Sequence, residues 1–164
     1  MNKKKKTSTK NDSKLINTLI IIGIVFLIGS LIIMFANNSQ TDNYIKEITY
    51  QEYEEIIKED KYSIILLTSP TCSHCVSYKP FVNYVAKENN LNVYNINLTT
   101  ITYEEYVSLH DKYSATKNEY REGQAVIPTP ATLVVRNNLE ITSTLGDIGY
   151  NGLTQLLKNN NVIK

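Results

Sequence analysis

An α/β domain, a mixed four-stranded sheet flanked by helices and preceded by one N-terminal transmembrane helix, is the architecture this 164-residue sequence predicts. Three observations lead there. An uncharged run from Leu15 to Ala36 follows a lysine-rich head, the patterning then alternates strand, helix, strand, helix, and two late apolar runs are joined by the tight-turn pair Asn137-Asn138.

Lys3, Lys4, Lys5, Lys6, Lys10 and Lys14 make residues 1–14 a basic head, and the next 22 residues hold only Asn17, Thr18 and Ser30 as polar side chains. At ~1.5 Å per residue a helix of that length reaches ~30 Å, the thickness of a bilayer's hydrocarbon core. The lysines flank its N-terminal end, so the positive-inside rule leaves the N-terminus in the cytoplasm and exports everything after residue 36. A cleavable signal peptide fits less well, because the apolar stretch exceeds an h-region of ~7–15 residues and no small-x-small site follows it. The sequence thus divides into a head (1–14), a membrane span (15–36), a polar linker (37–44) and an extracytoplasmic domain (45–164).

Charge divides at the same boundary. The chain has 17 basic and 16 acidic residues; without the six head lysines and Asp12, 11 and 15 remain, a net charge of about −4 for residues 37–164. That balance gives no reason to expect a nucleic-acid partner, and the head's lysines suit anionic lipid.

Within the exported domain, Thr49 and Glu52 have capping-box spacing ahead of Tyr50, Tyr53, Ile56 and Ile57, so a helix is expected to come first. Ser63 to Thr68 is a continuous apolar run, the pattern of a strand buried on both faces. From Cys72 the periodicity turns helical through Val76, Phe81, Val82 and Val85 until Asn89-Asn90 stops it. Asn92 to Leu98 alternates as a second, less buried strand, and Thr102 caps a second amphipathic helix carrying Tyr106, Val107, His110 and Tyr113. Ser114 to Thr129 has no clear period. Ala131 to Arg136 and Leu139 to Leu145 form the hairpin, and a helix around Leu153, Leu156 and Leu157 ends the chain.

Cys72 and Cys75, the only cysteines, stand as Cys72-Ser73-His74-Cys75 just after the first buried strand. Three residues apart on a helix, their sulfurs share one face and can bond without moving the backbone. At the start of that helix Cys72 meets unpaired backbone N–H groups and the positive end of the dipole, which favour its thiolate. Cys72 is therefore the expected nucleophile and Cys75 the resolving thiol, with Ser73 and His74 placed to tune the thiolate. Zinc is a poor alternative, since the chain offers only two cysteines and two histidines and His74 is trapped between the cysteines. A purely structural bridge closing so small a loop restrains little of the unfolded chain. No metal or organic cofactor is called for.

With these residues in place, the domain resembles the thioredoxin superfamily. The resemblance rests on the Cys-x-x-Cys at a strand-to-helix junction, on Pro80 five residues beyond Cys75, and on Thr129-Pro130 before a strand and hairpin. It implies a cis peptide bond at Pro130 rather than Pro128, because Pro128 at a strand's start would leave Pro130 inside a central strand. It also implies that the backbone at Thr129 and Pro130 pairs with a bound substrate chain. The family's tryptophan before the first cysteine and its buried aspartate on the preceding strand are replaced by Thr71 and Leu66. These departures, together with His74 and the Thr-Pro-Ala sequence, resemble the Dsb-type oxidases and isomerases of exported disulfide chemistry, without their large helical insertion.

The expected function is accordingly thiol–disulfide exchange, oxidation or isomerisation more than reduction, on cysteine-containing exported proteins or peptides, with a second redox protein recycling the dithiol. The alternative is a non-catalytic accessory of a secretion or peptide-export system. Tyr120 and Arg121 are further candidates for substrate contact, and His110 reads as a packed or exposed histidine rather than a catalytic one.

Overall fold

The structure, a computed structural model, describes residues 22–26 and 43–164. Residues 22–26 are helical and exposed; the rest of the expected span 15–36, the head and residues 37–42 lie outside the described residues. Among the described residues no helix is long and apolar enough to cross a membrane. Asn43–Lys164 forms a compact unit.

Its elements run β1 (Ile45–Glu47), α1 (Tyr50–Ile56), β2 (Ser63–Thr68), α2 (Ser73–Asn89), β3 (Asn92–Asn97), α3 (Tyr103–Lys112), β4 (Tyr120–Arg121), β5 (Gln124–Ala125), β6 (Ala131–Arg136), β7 (Leu139–Leu145) and α4 (Gly149–Asn159). The main sheet has five strands, in the order β1-β3-β2-β6-β7, where the sequence predicts four. The additional strand is β1, three residues pairing parallel with β3, too short for an alternating pattern to register. It also overturns the expectation that the domain opens on a helix. β2 pairs parallel with β3 and antiparallel with β6, and β6 pairs antiparallel with β7.

Local chemistry sets the element ends. Thr49 and Thr102 close capping boxes with Glu52 and Glu105, each satisfying backbone donors at a helix start. Asn90 stops α2 in the left-handed conformation, at φ 51°. Asn137 and Asn138, at φ 49° and 62°, make the two-residue β6–β7 turn, where asparagine tolerates positive φ better than most side chains. The stretch that lacks a period in sequence, 114–129, contains the small β4–β5 hairpin turning through Glu122 and Gly123, both at positive φ.

The central strand β2 is buried along its whole length. Its Ile65 and Leu67 join Tyr53, Ile57, Ile96, Leu109, Tyr113 and Leu133 in one core, against α1 and α3. Ile64 and Leu66 join Tyr78, Val82, Val85, Val93, Leu153 and Leu157 in the other, against α2 and α4. At about 1.5–3 kcal/mol per fully buried aliphatic or aromatic side chain, these two layers supply the main stabilisation of the fold. The register Leu67↔Ala131 sets the start of β6 beside the end of β2. Pro130 and the turn leading to Cys72 therefore share one end of the sheet.

Candidate functional site

β2 ends at Thr68, and the chain turns through Ser69 to Thr71 before entering α2. The Cys72 N–H donates to the Ser69 carbonyl at 3.1 Å, which tightens that turn. Cys72 is the N-cap of α2, in an extended conformation, and its sulfur accepts the Cys75 N–H at 3.0 Å. Cys72 and Cys75 are joined as a disulfide across a Cα–Cα separation of 5.3 Å. Their surroundings differ: Cys75 is buried at 3% exposure, while Cys72 is half-buried.

Ser73 and His74 are exposed on the first turn. The His74 ring makes no hydrogen bond among the described residues; its carbonyl accepts from the Ser77 hydroxyl at 3.0 Å. The same hydroxyl donates to the Asp147 carboxylate at 2.9 Å, tying the first turn of α2 to the loop after β7. Pro80 lies inside α2, which continues past it to Asn89. The Thr129–Pro130 peptide bond is cis, and the Pro130 carbonyl accepts the Gly146 N–H at 2.7 Å. The end of β7, the start of β6 and the first turn of α2 thus lie at one end of the sheet, the end that carries the cysteine pair.

Behind Cys75 lies a cavity of ≈ 260 Å³ lined by Cys75, Lys79, Glu47, Asn95, Thr68 and Asn97 among others. The Lys79 ammonium sits 3.1 Å from the Glu47 carboxylate. Glu47 also accepts the Asn95 side-chain amide at 2.6 Å, and Asn95 in turn accepts the Thr68 hydroxyl at 2.9 Å. Glu47, Lys79 and Asn95 are absent from the sequence-derived candidates. The available signal was the polar alternation Asn95, Asn97 in β3; missing was the pairing that brings β1 alongside it. Leu66, where the thioredoxin pattern has its aspartate, is fully buried in the α2/α4 core.

His110 is completely buried, its ring bonded to Asp111 at 2.7 Å and to the Glu119 carbonyl at 2.9 Å. It packs edge-on against Tyr120 at 4.9 Å and anchors the β4–β5 hairpin to α3. Tyr120 keeps 59% of its surface exposed beside that contact, and Arg121 next to it is exposed as well. Among the described residues no cluster of three or more His, Cys, Asp or Glu side chains is placed to hold a metal ion.

No protein-family model matches the sequence, and no curated sequence matches it. By structure the chain is similar to thioredoxin f2 of Chlamydomonas reinhardtii, with a TM-score of 0.59 and 12% identity over 73% of this chain and 99% of that one. It is also similar to the short form of spinach chloroplast thioredoxin f, with a TM-score of 0.53 and 15% identity over 73% and 95% of the two chains. The domain has the thioredoxin fold. Within that fold the disulfide stands at the strand-to-helix junction, and cis-Pro130 lies at the same end of the sheet.

Proposed function

We propose that this chain is a thiol–disulfide oxidoreductase held on the outer side of a membrane by residues 15–36, acting on cysteine-containing exported proteins or peptides. The observation that carries the reading is the asymmetry of the pair. Cys72 caps a helix, where its sulfur receives a backbone N–H, and Cys75 is buried one turn along.

To oxidise a client, a client thiolate attacks the Cys72 sulfur of the disulfide, and Cys75 leaves with the electron pair and takes up a proton. A second client thiolate attacks the client sulfur of that mixed disulfide and releases Cys72 as thiolate. The client gains an S–S bond, and a partner redox protein reoxidises the dithiol. Isomerisation begins instead from reduced Cys72 attacking a client disulfide. Oxidation and isomerisation are favoured over reduction because His74, on the exposed first turn, adds its ring N–H or positive charge near a Cys72 thiolate and so stabilises the reduced form. Ser73 contributes its place on that same turn. The Thr129 and Pro130 backbone, at the same end of the sheet, is the proposed docking edge for an extended client segment.

The test is a client trap in cells producing the full chain. With Cys75→Ser, Cys72 should accumulate mixed disulfides with exported clients; with Cys72→Ser none should form. If Cys75→Ser traps nothing and both variants complement loss of the wild type, the reading is wrong.

A further inference from the structure

We propose that Glu47, held by Asn95 and Lys79, is the proton acceptor and donor for Cys75. The inference rests on the oxidoreductase reading above and deepens it.

Its starting point is a burial pattern that the fold alone does not require. Glu47, Leu66 and Asn95 lie level with one another across β1, β2 and β3, and Thr68 is level with Asn97. On the α2 side these strands begin with Ile45, Ile64 and Val93, then end in Glu47, Thr68, Asn95 and Asn97. Asn95 is 1% exposed and Thr68 4%. Polar groups buried so deeply cost free energy unless they are bonded. Here the bonds run in one direction, Thr68 to Asn95 to Glu47, and end on a carboxylate lining the same cavity as Cys75.

Thiol chemistry needs a group in that place. When Cys75 resolves a mixed disulfide, its S–H proton must leave, its sulfur bonds to Cys72, and the Cys72–client S–S bond breaks with the electron pair going to the client sulfur. In the reverse direction Cys75 departs as a thiolate and a proton must arrive. Cys75 is 3% exposed and lines the cavity, and the Glu47 carboxylate, which lines the same cavity with its side chain 64% exposed, can take up and return that proton through water. Lys79, one helical turn beyond Cys75 on the same face, supplies a positive charge for the thiolate. The Asn95 amide and the Lys79 ammonium fix where the carboxylate points.

The full-length protein, loaded with glutathione as a mixed disulfide on Cys72, tests this through the rate at which Cys75 releases glutathione. Glu47→Gln retains an oxygen for the Asn95 amide but cannot take a proton. Release should slow on the order of tenfold to a hundredfold at pH 7, while the reaction of Cys72 with oxidised glutathione keeps its rate. In a Cys72→Ser background, alkylation of Cys75 should titrate at lower pH with Glu47→Gln, which removes a negative charge, and at higher pH with Lys79→Gln. A structural role for Glu47 does not combine slower release with a more readily formed thiolate. Glutathione release at the wild-type rate in Glu47→Gln overturns this proposal alone. Failure of Cys72 to form a mixed disulfide in the wild type overturns the oxidoreductase reading and this one together.

Discussion

β2 sends Ile65 and Leu67 to one face of the sheet and Ile64, Leu66 and Thr68 to the other, and the two faces diverge towards its C-terminal end. On the α1/α3 side Ile65 and Leu67 stay among hydrophobic side chains to the end of the strand. The Tyr53 and Tyr113 hydroxyls buried there bond to each other at 2.6 Å. Burial, with the neighbouring hydroxyl bond partly offsetting it, pushes the Tyr113 phenol up to about 12. On the α2/α4 side the same strands finish in Thr68, Asn95, Asn97 and Glu47, and an open cavity replaces a closed layer. A sheet face needs only apolar contact for stability, and the polar end is where the proposed proton transfer would take place. It lies behind Cys75.

That contrast can be broken in three ways, taken from the largest effect down. Leu67→Ala, on the apolar face, should cost about 2–5 kcal/mol of stability, read as a lower urea midpoint, while the folded fraction exchanges disulfides at the wild-type rate. A changed exchange rate in the folded fraction would show that the two faces are coupled.

A matched pair of hydroxyl deletions comes next. Tyr53→Phe leaves the buried Tyr113 hydroxyl without its partner, and Thr68→Val leaves the Asn95 carbonyl without its donor. Each should cost about 1–3 kcal/mol by denaturant titration. Only Thr68→Val should also alter the pH profile of Cys75 alkylation, because only Thr68 belongs to the chain of bonds that ends at the cavity. Equal profiles for both would erase the proposed division of labour.

The smallest effect sits at the β7 edge. Partial burial disfavours the Glu140 carboxylate, but hydrogen bonds from the Ser114 and Ser143 hydroxyls and the Ser114 N–H outweigh it, and its carboxyl is held below the ordinary range. A lowered folded-state value stabilises the fold at pH above the unfolded carboxylate's value of ~4.3, and this contribution disappears as pH falls through the folded one. Wild type should therefore be more stable than Glu140→Gln at pH 7, with the gap closing below about pH 4. The cysteine chemistry should not notice.

Much of this architecture is written in local sequence. Thr49 with Glu52, Asn90, the Asn137-Asn138 turn and the apolar run of β2 each specify their structure within a few residues, and so does the placement of Cys72 at a helix start. The unread parts depend on pairing at long range. β1 is three residues long and is defined by β3, 48 positions later, so nothing near Glu47 in the sequence points to its bonds with Asn95 and Lys79, and it reads as one more exposed charge before a helix. Asn95 likewise reads as the polar side of a half-exposed strand, yet it is buried because β1 and β2 flank it and α2 covers it. The β4–β5 hairpin is obscure for a related reason: its order comes from His110 and Tyr106 on α3 rather than from its own two-residue strands.

The central claim, that Cys72 and Cys75 form a working redox centre, is tested most directly by equilibrating the full-length protein across a series of reduced-to-oxidised glutathione ratios and alkylating the free thiols. The account predicts reversible two-electron interconversion of the pair within the range those ratios span, with any trapped glutathione attached to Cys72. A pair that stays oxidised at every ratio and forms no mixed disulfide would be a structural bridge, and the account would be contradicted.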